Sequence, residues 1–108
     1  ALRTVQIAAA RQNLRVELLQ RDLTQEPRST ELFDVVCCSD LAYGKSVAPL
    51  QRALLERARS NGARVLVADA GRTYFDADGM RMIAEYVIDV PRDLEGVDVR
   101  TARVFEMV

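Results

Sequence analysis

Three apolar runs of this chain each end on an aspartate: Val16–Asp22, Phe33–Asp40 and Ala63–Asp69. Runs this short, β-branched and separated by helical patterns predict strands of a parallel sheet. The carboxyl ends of such strands share one edge, and ligands bind in the crevice outside it. Asp22, Asp40 and Asp69 are therefore expected on a single rim, facing a common hollow. Any chemistry of the chain is expected there, and aspartates found on opposite rims would contradict it.

The remaining pattern completes an α/β chain. Ala1 to about Leu14 predicts a helix with Leu2, Val5 and Ala9 on one face. Strands are predicted at Val16–Gln20 and Phe33–Cys38, with a polar loop, Leu23–Leu32, between them. A second helix is predicted from Val47 to Arg59, capped by Ser46, with Pro49 in its first turn and Asn61-Gly62 as its stop. Val65–Ala68 predicts a third strand. Met80, Ile83, Ala84 and Val87 have helical spacing and predict a helix starting near Asp76. Two further strands, Tyr86–Val90 and Arg100–Met107, are joined by Pro91–Asp98, a link so short that it requires an antiparallel pair.

Bulk properties exclude several classes. With 108 residues the chain holds one domain. A net charge of -1 gives no footprint for nucleic acid or an anionic membrane, and no apolar stretch is long enough to cross a bilayer. The chain has no histidine, and no cysteine spacing suggests a metal site. Cys37 and Cys38 are neighbours on a strand, so they face opposite ways and a bridge between them is strained. Reduced thiols and a cytoplasmic setting are expected. The chain opens on Ala1 and ends on an apolar run, which suggests a piece of a longer protein.

Two stretches carry a resemblance. Ser39-Asp40-Leu41-Ala42-Tyr43 resembles the Asp-x-x-Tyr motif of class I, seven-β-strand S-adenosylmethionine-dependent methyltransferases. Ala68-Asp69-Ala70-Gly71-Arg72 resembles the Asp-Pro-Gly-Arg segment after the next strand, with Ala70 in place of the proline. The electron-transfer flavoprotein β-subunit lysine methyltransferase group is the most similar branch. The resemblance implies the C-terminal half of a partial Rossmann-like fold across residues 1–108, with parallel strands and a terminal antiparallel hairpin. The family's glycine-rich strand-loop unit, which holds the cofactor's methionine part, is missing, so this chain alone is expected to be inactive.

What the resemblance implies for chemistry is methyl transfer from S-adenosylmethionine to an amine, a protein lysine first. Asp40 would hold the amine and balance the methylated cation, and Tyr43 would position it. Asp22, Cys38 and Ser39 would lie on the cofactor side, Asp22 accepting a hydrogen bond from the adenine amino group. Asp69, Gly71 and Arg72 would shape the substrate side. Structural readings stand beside these. Asp22 and Asp40 are also turn-forming residues, Tyr43 would then cover the sheet edge, Gly71 supplies a positive-φ turn, and the cysteines pack as small core residues. Two other functions stay open: a nicotinamide-methyltransferase-like enzyme for a small amine, and a non-catalytic Rossmann-like binding domain.

Overall fold

A computed structural model describes residues 1–25, 32–40, 42 and 44–108. Helix α1 spans Leu2–Arg11 and buries only Ala9. A single 3-10 turn follows at Leu23–Gln25. Strand β1 is Val35–Ser39, helix α2 Ala48–Ser60 and strand β2 Arg64–Asp69. Strand β3 is Met80–Asp89, a four-residue helix α3 covers Arg92–Glu95, and strand β4 is Val99–Met107. The four strands form one open, mixed sheet in the order β1-β2-β4-β3. β1 and β2 are parallel, whereas β4 is antiparallel to both β2 and β3.

The middle of the chain folds as its sequence dictates. Val65 and Val67 of β2 alternate inward and pack with Val36 and Cys38 of β1 under Leu55 and Ala58 of α2. Pro49 sits in the first turn of α2, where its missing N–H costs nothing. The N-cap is Val47, one residue later than Ser46, and no side chain caps the helix. Gly62, at φ 97°, turns the chain out of the helix after Asn61.

Three further expectations are corrected. Val16–Gln20 is not a strand; among the described residues the first strand is β1. Its pattern alternates suitably, but among the described residues no strand pairs with it, and pairing is what stabilises a strand. Without a ladder its amides lack the protection of a sheet. Hydrogen exchange at Val16–Leu19 is therefore expected to be faster than at Val65–Val67; equal protection would refute this arrangement.

The helix expected from Asp76 is instead the long strand β3. A bulge between Met82 and Ala84 explains the misreading. It inserts Ile83 as an extra residue, so Met82 and Ala84 face opposite sides of the sheet. The two-residue alternation is reset mid-strand, and the apolar positions take on a helix-like spacing. The antiparallel hairpin expected at the end of the chain is present, with Gly96 in its link at φ 73°.

The third correction concerns Cys37, expected to pack in the core but exposed; among the described residues its strand is covered on one face only. α2 and the 70–79 link both lie over the face of Val65, Val67 and Phe105, where Phe75 packs on Phe105 with ring centroids 5.2 Å apart. Both cysteines are free thiols.

Candidate functional site at the carboxyl rim

β1 delivers Asp40 and β2 delivers Asp69 to the same rim. The Asp40 N–H donates to the Ala68 carbonyl at 3.0 Å, continuing the β1–β2 ladder by one residue. Asp40 then takes φ 53°, a left-handed conformation that aspartate tolerates better than most residues. The chain turns away from the sheet there, and the carboxylate is left at its edge.

Arg72 reaches that carboxylate with both arms of its guanidinium. Nε donates to Oδ1 at 2.6 Å and a terminal nitrogen to Oδ2 at 2.5 Å. This fork-to-fork geometry is the strong, directional form of a charged hydrogen bond. The Arg72 bond holds the Asp40 carboxyl below its ordinary value of 3.8, partial burial opposes that, and the charges of Arg72 and Arg100 add to it. Arg100 was not legible as a rim residue. It arrives because β4 runs past the end of β2: Asp69 pairs with Arg103, but the hairpin continues to Asp89 and Val99. That overhang of four β4 residues projects about 14 Å.

Asp69 is arranged differently. It is 7 % exposed, and its Oδ2 accepts the backbone N–H groups of Gly71 at 2.7 Å and Arg72 at 3.1 Å. These bonds fix the loop that aims Arg72 at Asp40. Gly71 holds φ 89°, and a Cβ there would meet nothing within 4 Å. Gly71→Ala is therefore a purely backbone perturbation, expected to cost about 1–2 kcal/mol. A melting temperature several degrees lower is the check.

The other candidate residues are placed as follows. Cys38 is half-buried and burial raises its thiol pKa, with Cys37 adding to the rise, so it is not a ready nucleophile. Ser39 ends β1 on the rim and is exposed. Tyr43 lies outside the described residues. Asp22 ends no strand. Its neighbours Arg21 and Leu23 line a hollow with Phe33, Asn61 and Ala63, residues that lie just ahead of β1 and β2. Asp22 is thus on the amino-end side, away from Asp40 and Asp69, and this contradicts the expectation of a single rim carrying all three aspartates.

Beside the rim a cavity of about 370 Å³ opens between α2 and the 70–79 link. Cys38, Leu55, Val67, Phe75 and Met80 give it apolar walls, and Asp69 and Lys45 are among its polar residues. Among the described residues no cluster of side chains is suited to a metal ion. No described helix is long and apolar enough to cross a membrane. No protein-family model, curated protein or solved structure matches the chain.

Proposed function

We propose that this chain forms the acceptor side of an S-adenosylmethionine-dependent methyltransferase whose full-length protein methylates an amine, a protein lysine being the favoured substrate. One observation carries the reading. The first residue of the Asp-x-x-Tyr stretch and the last residue of the Asp-Ala-Gly-Arg stretch, 32 positions apart, meet in the Asp40–Arg72 fork. Two segments picked out by resemblance alone are thereby joined into one structure at the edge where α/β sheets bind ligands.

The residues described do not build a cradle for the cofactor. The sequence has no glycine-rich loop of that kind, and Asp22, with its neighbours on the amino-end side, gives neither an adenine contact nor the three-aspartate rim as support. The proposal is therefore confined to the acceptor. Asp40, kept ionised by Arg72, is a poor proton acceptor but a good electrostatic partner. It orients the amine and balances the charge that grows on nitrogen as the methyl group arrives. The amine must lose its proton elsewhere before it can attack, since a free lysine titrates at about 10.4. Tyr43, four residues into the same motif, is assigned the positioning of that amine.

The test is methyl transfer by the full-length protein from isotopically labelled S-adenosylmethionine, with mass spectrometry of lysine-bearing proteins and of small amines. Labelled methyl-lysine is expected; a full-length protein that neither binds S-adenosylhomocysteine nor labels any amine would overturn the proposal. Calorimetry of this chain alone with S-adenosylhomocysteine is expected to be flat, and tight binding would refute the confinement to the acceptor side.

A further inference from the structure

We propose that the cavity between α2 and the 70–79 link is a binding site for a small organic ammonium with an apolar body, and that Asp69 Oδ1 is its anchor. Asp69 lines the cavity on a side chain 7 % exposed, and its Oδ1 is closed to water and has no hydrogen-bond partner among the described residues, so a ligand in the cavity reaches it once a wall side chain gives way. Its sister oxygen is fully used by the Gly71 and Arg72 amides. A buried acceptor left unmade is costly, more so on a carboxylate, and an incoming charged N–H recovers that cost.

The surrounding arginines are already engaged. Arg103 stands opposite Asp69 across the β2–β4 ladder, yet its Nε donates to Glu85 at 2.7 Å. Arg72 is held by Asp40. Arg52, also on the cavity wall, donates to Glu56 at 2.7 Å and to the carbonyls of Asp76 and Asp78 at 3.2 and 2.6 Å. Each of these guanidinium groups bonds to other oxygens, which leaves Oδ1 for a mobile donor. The cavity volume of about 370 Å³ falls in the range of small-molecule sites, and a mostly apolar wall with a few polar groups, Asp69, Asp76 and Lys45 among them, is their usual chemistry.

This inference does not depend on methyl transfer. Failure of the methylation assay leaves amine binding in place, and failure of amine binding leaves the Asp40–Arg72 rim untouched.

Amide chemical-shift titration of the chain with benzylammonium tests it. Saturable shifts are expected at Ala48, Val67, Gly71 and Arg72. Benzyl alcohol, the same ring without the charge, is expected to bind at least about tenfold more weakly. Asp69→Asn keeps an oxygen for the Gly71 and Arg72 amides and turns the free acceptor into a donor; it should lose at least about tenfold in affinity. Lys45 lines the exposed mouth of the cavity and is the one lysine available to compete for Oδ1. Lys45→Met is therefore expected to keep or strengthen benzylammonium binding. Equal binding of amine and alcohol by the wild-type chain, shifts confined to the uncovered sheet face, no saturable shift at millimolar probe, or loss of binding in Lys45→Met would each overturn the assignment.

Discussion

Val65→Asp is expected to unfold the chain. Val65 is 0 % exposed and lies in β2, an inner strand paired on both sides, with β1 and with β4. It is the largest fully buried side chain among the described residues, and the small core of Leu55, Ala63, Val67 and Met107 closes around it. A carboxylate there loses its water and finds no cation, because that core contains only apolar groups. The penalty for an unpaired buried charge is several kcal/mol, while a domain of this size has a total stability of about 5–15 kcal/mol. Loss of amide dispersion in a two-dimensional NMR spectrum, together with loss of a cooperative urea transition, is the expected result. Leu94→Asp is the matched control: Leu94 is 79 % exposed on α3, and the change should alter stability by no more than about 0.5 kcal/mol. An unchanged urea midpoint for Val65→Asp would mean that β2 is not the centre of the fold.

The β1-α2-β2 unit was legible because its signals are local. Alternating valines, a proline in a first helical turn and an Asn-Gly stop each act within a few residues, and tertiary structure had nothing to override. Val16–Gln20 and Met80–Val87 were misread for opposite reasons. The first has the side chains of a strand but no neighbour to pair with among the described residues, and pairing is what stabilises a strand. The second has a neighbour, β4, whose ladder outweighs a helical spacing that the bulge at Ile83 imitates. The misplacement of Asp22 follows directly from the first error, since an aspartate can mark a rim only if a strand delivers it there.

The rim was legible to the level of loops and no further. Asp40 and Asp69 follow from the ends of two parallel neighbours, and the Asp-x-Gly spacing announces the turn that Asp69 Oδ2 closes. The Asp40–Arg72 fork and the approach of Arg100 depend on side-chain direction and on how far β4 overruns β2, and neither leaves a trace in local pattern. Nor does the uncovered sheet face, where Val35 and Tyr86 are 49 % and 57 % exposed. A strand's alternation announces which residues share a face, but not whether anything lies against it.

On the proposed methyl transfer, Asp40→Asn in the full-length protein is expected to lower kcat/KM by about 10²–10³-fold, the usual loss when one preorganised electrostatic contact at a reacting centre is removed. The neutral amide preserves shape and can still hydrogen-bond to Arg72, so the loss reports charge. Arg72→Gln should have a smaller effect, because Asp40 keeps its carboxylate and loses only its orientation. The pH dependence separates this role from general-base catalysis. The folded Asp40 carboxyl titrates below its ordinary 3.8, so the clamp is fully formed above that value and is lost only as pH falls through the depressed one. Between about pH 5 and 9 the charge on Asp40 is therefore constant. Activity over that interval should rise with deprotonation of the acceptor amine alone, with the same slope in wild type and in Arg72→Gln. Both partners are about half exposed, so the clamp adds little to global stability, and either variant should melt close to wild type. An acidic limb in the wild-type profile near pH 6 to 7 that vanishes in Asp40→Asn would show Asp40 taking the proton, and the electrostatic assignment would fall.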